Sequence, residues 1–195
     1  MEVLLKKVKA SPAMFGRFIK KIVAASLLVL LLPLITAHAE ERWFLDAGIS
    51  DVNSGLAIYG GVESDWDWSY DLAGGVIKGA WQLGFSAAYW KDARILRQFY
   101  SAGKGVMYSG GITPLLRWEM AIPLTIEAGL GVHLVGHRPS NQLATIVEFG
   151  SLAGLYYRYS PDLSIGYRMI HFSNADIKQP NGGVNFHLLH VGFSF

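Results

Sequence analysis

A histidine, a serine and an asparagine near the end of the chain have the types and spacing for nucleophilic chemistry. His171 and Ser173 are separated by a single position in a segment that alternates like a β-strand, and Asn185 follows after a polar loop. Side chains at i and i+2 of a strand share a face. A Ser–His pair within hydrogen-bond reach is the minimum for acyl transfer, in which the imidazole takes the hydroxyl proton and a third group fixes its tautomer. The pattern therefore contains the minimum set of residues for an esterase-like site.

The rows of residues beside this pair indicate which surface the site occupies. The row that contains the pair is Leu163, Ile165, Tyr167, Met169, His171 and Ser173, and the opposite row is Ser164, Gly166, Arg168, Ile170 and Phe172. On the last strand, Asn185 continues an outward row with His187, Leu189, Val191, Phe193 and Phe195. Apolar rows suit lipid and polar rows suit the inside of a barrel, so we expect the site on the outer wall near the membrane interface, where polar groups cost less. The alternative is that His171 and Ser173 are interfacial polar residues at the end of a hairpin.

The segment 1–39 has the features of a secretory signal peptide. Six Lys or Arg residues precede an apolar run over 22–35, and Ala37-His38-Ala39 supplies small residues for cleavage before Glu40. The run contains Pro33 and is short for a membrane span, which needs about 20 residues. We therefore predict a signal peptide over 1–39 and one domain over 40–195.

Composition excludes several classes of function. The leader holds six of the 17 basic and one of the 15 acidic residues, so the rest keeps 11 basic and 14 acidic groups and a formal net charge of −3. We predict no nucleic-acid partner, because the basic excess belongs to the leader. The chain has no cysteine, which excludes disulfides, thiolate nucleophiles and cysteine-ligated metals.

The remaining sequence favours an all-β, eight-stranded antiparallel transmembrane β-barrel. An export signal, high apolar content and period-2 alternation together are typical of outer-membrane barrels, and the length suits eight strands of about ten residues. The six tryptophans lie near predicted strand ends, as in aromatic girdles. A soluble β-sandwich or barrel is the alternative. The alternating segments are 42–50, 55–64, 67–76, 82–91, 103–120, 124–136, 145–159, 163–173 and 187–195.

The segment HFSNADIKQPNGGVNF, at 171–186, resembles the signature of the PagL-type lipid A 3-O-deacylases. The matching core is His-x-Ser-Asn-Ala at 171–175 and Lys-Gln-Pro-Asn-x-Gly at 178–183, and weaker similarity includes WDWSYDLAGG and IEAGLGV. The resemblance implies an eight-stranded outer-membrane barrel that hydrolyses the ester-linked acyl chain at the 3-position of lipid A. It implies that Ser173 is the nucleophile and His171 the general base. It also implies that Asn174 helps to bind the oxyanion and that Asn181 supports the loop.

The sequence departs from the family pattern at the third member of the site. The best-known members carry a glutamate at the position that Asn185 occupies in this chain. An asparagine can orient the imidazole but supplies no negative charge for the imidazolium. We therefore predict Asn185 as the third member and keep Asp176 and Glu148 as alternative acids.

The predicted partners are lipid A, or lipopolysaccharide, and the lipids of the outer membrane. We predict no cofactor and no metal: His133 and His137 have the i, i+4 spacing of helical ligands but lie in a strand that would separate them by about 13 Å. The sequence leaves a homodimer open. A different class of function, a catalytically silent structural or adhesive barrel, stays possible because of the asparagine at 185.

Overall fold

A computed structural model describes residues 41–51, 55–90, 105–136 and 142–194, and these residues build a barrel. Each strand pairs with the next in antiparallel fashion, and β1 pairs with β8 to close the sheet. The predicted eight-stranded antiparallel fold is confirmed, while the predicted signal peptide over 1–39 lies outside the described residues. The strands are β1 (Glu41–Ser50), β2 (Leu56–Leu72), β3 (Gly75–Trp90), β4 (Gly105–Met120), β5 (Leu124–Gly136), β6 (Val147–Ser160), β7 (Leu163–Ser173) and β8 (Val184–Ser194).

The wall of the barrel has an apolar outside. In β1, Leu45 and Ile49 are 57% and 48% exposed, whereas Phe44 and Asp46 are buried. The same alternation runs through β5 and β6. Exposed apolar side chains on this scale mark a surface that contacts lipid. Among the described residues, no helix has the length and apolar character needed to cross a membrane.

Side chains fill the interior of the barrel. Near the middle, the Arg168 guanidinium contacts Asp46 at 3.0 Å, Glu63 at 3.2 Å and Glu127 at 2.9 Å, which belong to three other strands. An eight-stranded barrel is just wide enough for such packing. Towards one end the buried side chains become apolar, and they include Trp90, Met107, Val135, Phe172, Val184 and Phe186.

The two rims of the barrel differ in the length of their connections. One rim, the short-turn rim, has the turns 73–74, 121–123 and 161–162. The other, the long-loop rim, has the connections 51–55, 91–104, 137–146 and 174–183. Outer-membrane barrels place short turns in the periplasm and longer loops outside the cell. By this rule we predict that the long-loop rim is the extracellular one.

Three sequence predictions about the strands need correction. The segments 55–64 and 67–76 are not separate strands, because β2 runs through both, with a register shift between Asp65 and Ser69, and turns only at Ala73 and Gly74. The last strand begins at Val184 rather than at 187. The girdle prediction was wrong for Trp90, which is 1% exposed and faces inward, whereas Trp43, Trp68 and Trp81 face outward nearer the short-turn rim.

Candidate active site

The predicted residues meet on the outer wall at the long-loop rim. His171 and Ser173 lie at the end of β7, and Asn185 lies near the start of β8, directly opposite His171 in the antiparallel register. All three are half-buried, while Ile170, Phe172, Val184 and Phe186 beside them are buried inside. The predicted strand parity is therefore confirmed on both strands.

Phe172 fixes the direction in which its two neighbours point. Its side chain is fully buried, with its ring centroid 5.9 Å from that of Phe186 and 5.0 Å from that of His133. A shift of one residue in a strand moves every side chain to the other face. Burial of Phe172 therefore holds His171 and Ser173 on the lipid-facing side.

The imidazole of His171 bonds to Asn185. His171 Nδ1 lies 2.7 Å from Asn185 Oδ1. An amide oxygen only accepts hydrogen bonds, so this contact requires a proton on Nδ1 and leaves the Nε2 lone pair for a substrate-side proton. The structure therefore brings these two predicted members together in the orientation that a general base needs.

Ser173 shares the outer face with His171 but is not bonded to it. Within the described part of the chain, no hydrogen bond joins the Ser173 hydroxyl to the imidazole, and the two residues are separated by about 6.6 Å of strand. Across the neighbouring strand, Ser173 pairs with Phe149 and His171 with Ser151. Catalytic hydrogen bonds often tighten only when substrate is bound, so this geometry is compatible with a nucleophile and its base.

The loop 174–183 is held by asparagine side chains. The backbone N–H of Asn174 donates to Asn181 Oδ1 at 2.9 Å, and Asn174 Nδ2 donates to the carbonyl of Lys178 at 2.8 Å. Asn181 Nδ2 also donates to Asp176 Oδ1 at 3.1 Å. Asn174 is fully buried. Both asparagines thus shape the loop that follows Ser173.

Gly183, at the end of this loop, lies against the histidine. Its φ is +70°, and a Cβ built there would overlap His171 Cε1 and come within 3.1 Å of Nε2. A side chain here would therefore strain the backbone and collide with the imidazole. The close approach gives a physical reason for the last glycine of the quoted motif.

Neither of the alternative acids reaches His171. Glu148 lies on β6 beside this hairpin, but it is buried in the interior, where it accepts hydrogen bonds from Thr145. Asp176 is exposed in the loop and bonds to Gln179 and Asn181. Among the described residues, Asn185 is therefore the one whose side chain hydrogen-bonds to the imidazole.

Sequence reasoning missed Asp51, which follows β1 and touches Asn185 three times. Asn185 Nδ2 donates to Asp51 Oδ2 at 2.5 Å, and the backbone N–H of Asn185 donates to Asp51 Oδ1 at 3.0 Å. The backbone N–H of Asp51 in turn donates to the carbonyl of Asn185 at 3.1 Å. A signal was present, because closing an eight-stranded barrel places the end of β1 beside the start of β8.

The other three histidines that the structure describes divide between the two faces. His133 is buried in the interior with Nε2 3.2 Å from Thr113 Oγ1, and His137 lies outside the described residues. His187 faces outward, with Nδ1 2.5 Å from the Tyr167 hydroxyl, whereas His190 faces inward beside Asp46. In the described ranges no group of three or more His, Cys, Asp or Glu residues could hold a metal ion.

Sequence comparisons relate this chain to known proteins. A family model described as lipid A 3-O-deacylase (PagL) matches residues 53–194. The lipid A deacylase PagL of Pseudomonas aeruginosa is 31% identical over 176 residues, which cover 87% of this chain and 96% of that protein. The lipid A deacylase PagL of Bordetella bronchiseptica is 30% identical over 132 residues, which cover 66% of this chain and 70% of that protein.

A solved structure matches the fold as well. The crystal structure of the outer membrane enzyme PagL has a TM-score of 0.63 and 26% sequence identity, and the match covers 79% of this chain and 99% of that one. The stretch that the family model matches contains β7, β8 and the loop between them, and it begins just after Asp51.

Proposed function

The chain belongs to the PagL family of lipid A 3-O-deacylases, and from this membership we propose how it cleaves the ester at the 3-position of lipid A in the outer membrane. Ser173 is the nucleophile, His171 is the general base, and Asn185 orients the imidazole. The observation that carries this assignment is the 2.7 Å contact between His171 Nδ1 and Asn185 Oδ1 on the outer wall, with Ser173 on the same face.

The reaction runs in two halves. His171 Nε2 takes the hydroxyl proton of Ser173 while Ser173 Oγ attacks the ester carbonyl carbon. The tetrahedral intermediate collapses, the bond to the sugar oxygen breaks, and the imidazolium returns its proton to that oxygen. Water then attacks the acyl-enzyme with the same base, which releases the fatty acid and restores the serine.

The oxyanion is assigned to the loop that follows the nucleophile. We keep Asn174 as the predicted oxyanion-binding residue and Asn181 as the supporting one. The backbone N–H of Asn174 already donates to Asn181, so the oxyanion would accept from the second N–H of the Asn174 side chain, beyond the one bonded to Lys178.

The position of the site suits a lipid substrate. The polar residues of the site are half-buried on an otherwise apolar wall, at the long-loop rim. At this depth they can contact an ester that lies between a sugar and an acyl chain. Lipid A presents that ester in the outer leaflet, on the side that the long loops face. An interior site would exclude such a substrate, because the interior is filled by side chains.

Mass spectrometry of lipid A tests the proposal. Cells without any such deacylase would express the parent protein, Ser173→Ala or Ser151→Ala. Ser151 is the matched control, because it is the outward serine directly opposite His171 on β6. We expect the parent and Ser151→Ala to remove one hydroxyacyl mass, and Ser173→Ala to lose at least about 10⁴-fold in rate.

Two results would contradict the assignment. Loss of activity in Ser151→Ala with retention in Ser173→Ala would place the nucleophile on β6. Unchanged lipid A with a folded parent barrel in the outer membrane would favour a silent structural barrel. The asparagine at 185, in place of a glutamate, would then explain the loss of activity.

A further inference from the structure

Asp51 places a carboxylate beside the amide of Asn185. Both of its carboxylate oxygens accept hydrogen bonds from Asn185, one from the side-chain amide at 2.5 Å and one from the backbone N–H at 3.0 Å. Asn185 in turn contacts His171 through its amide oxygen. His171, Asn185 and Asp51 thus form a continuous row across β7, β8 and the end of β1.

The donors and acceptors of this row can be arranged in only one way. A carboxylate only accepts hydrogen bonds, so the NH₂ group of Asn185 must face Asp51. The amide oxygen then faces His171 and also only accepts, so the proton must sit on Nδ1. Nε2 is left free to take the proton of the nucleophile.

An asparagine without such a neighbour would not hold the His171 imidazole in a single tautomer. Its amide can turn over and present NH₂ to the imidazole, which then carries its proton on Nε2. That tautomer cannot accept a proton from a serine. The carboxylate of Asp51 removes this second arrangement, and it also places a negative charge two hydrogen bonds from the imidazolium.

We propose that Asp51 is a positioning residue of the esterase site, which acts on His171 through the amide of Asn185. The inference rests on the proposed function and adds a fourth member to the site. Asp51 lies two positions before the stretch that the family model matches.

The first test compares Asp51→Asn in two backgrounds, the parent and Asn185→Glu, with purified barrel and lipid A in detergent. In the parent we expect kcat to fall about tenfold to a hundredfold with KM little changed, because the base is misoriented while the binding surface is kept. A carboxylate at 185 contacts Nδ1 directly, so in that background Asp51→Asn should change kcat by less than about twofold, or raise it by relieving repulsion. An equal loss in both backgrounds would overturn the proposal, since it would mean that Asp51 only fastens β1 to β8.

A control isolates the effect of charge. Asp71 is exposed at the end of β2, on the short-turn rim, and Asp71→Asn removes one negative charge far from His171. We expect this variant to keep the kcat of the parent. A matching loss in Asp71→Asn would assign the effect to net charge and would contradict a positioning role.

The second test reads the tautomer itself and needs no activity. Protein labelled with ¹⁵N-histidine would be studied by NMR in micelles, at a pH where the imidazole is neutral, and the His171 signals assigned by their loss in His171→Gln. We expect Nδ1-protonated His171 in the parent and a mixture of tautomers in Asp51→Asn. An unchanged His171 spectrum would overturn the inference, whereas unchanged lipid A with the expected spectra would overturn only the proposed function.

Discussion

The imidazole of His171 is held from two sides by residues that follow it in the chain. Asn185 bonds to Nδ1, and the backbone of Gly183 lies against Cε1, the carbon between the two ring nitrogens, where a Cβ would come within 2.4 Å of Cε1. The first contact sets the tautomer and the second sets the space available to the ring. Small changes at either place should therefore act on the rate more than on folding.

Substitution of Gly183 tests this view at the scale of one residue. Gly183→Ala adds a methyl group that overlaps His171 Cε1, so we expect kcat to fall about tenfold to a hundredfold as the ring is displaced. Gly74→Ala is the matched control, because Gly74 has nearly the same φ, +73°, but nothing within 4 Å of an added Cβ. Deacylation rates of the two purified variants would be compared. Equal losses would show that backbone strain, not contact with His171, is responsible.

The residues of the site differ in how far the sequence could predict them. His171, Ser173 and Asn185 were predicted to share one face, since period-2 alternation is a local property and the structure has the same parity. Asp51 was missed because it is distant in sequence from Asn185, and neither segment by itself predicts the register in which β1 pairs with β8. Local patterns predict the direction of a side chain, whereas its partner depends on the pairing of distant strands.

At the scale of the element, the loop 174–183 has its own network of hydrogen bonds. Asn174 and Asn181 connect its two ends, and Ala175 and Asp176 adopt positive φ values of 52° and 61° at its tight turn. The loop therefore has a defined shape next to the nucleophile. Its motif residues serve this shape, whichever of them also contacts substrate.

Asn174→Ala separates these two roles. The change removes the hydrogen bond from Asn174 to the Lys178 carbonyl, and losing a buried hydrogen bond costs about 1–2 kcal/mol. We expect trypsin to cut after Lys178 about five to thirty times faster than in the parent. The cutting rate of folded barrel would be followed by gel electrophoresis. Ile177→Ala is the control, because that side chain is 73% exposed and only its backbone N–H bonds within the loop.

The result also bears on the oxyanion. A loss of deacylation in Asn174→Ala without faster cutting would favour direct contact with substrate over a role in loop shape. Faster cutting with normal deacylation would show that the loop tolerates opening, and it would count against Asn174 as an oxyanion-binding residue.

Strands of regular alternation were predicted well, and an irregular one was not. The bounds of β5 agree with the segment 124–136, because its apolar and small residues alternate without interruption. The sequence prediction divided β2 at 65–66, because the residues there resemble those of a turn. The structure instead has a register shift between Asp65 and Ser69 within one continuous strand. A bulge and a turn share the same residue types, and only pairing with β3 distinguishes them.

At the scale of the whole molecule, the barrel separates stability from catalysis. Its interior holds the buried charges, with Arg168 bonded to Asp46, Glu63 and Glu127, while the site lies on the outer wall. Asp51 extends the contact of β1 with β8, so the closure of the barrel also completes the site. Only a closed barrel brings Asp51 to Asn185.

Substitution of Arg168 tests the separation. Arg168→Met leaves three buried carboxylates without their shared cation, and we expect the free energy of unfolding to fall by about 3–5 kcal/mol. Urea titration of the barrel in micelles, followed by the different gel mobility of folded and unfolded protein, would measure it. The double variant with Asp46→Asn should recover part of the loss, because Asp46 loses its arginine, whereas Glu63 and Glu127 keep their ion pairs with Arg117. Deacylation per folded molecule should remain that of the parent, since the ion network lies inside the barrel and the reacting residues lie on its outer wall. A stable Arg168→Met barrel with impaired deacylation would contradict this account, because the ion network would then support the active site and not the stability of the fold.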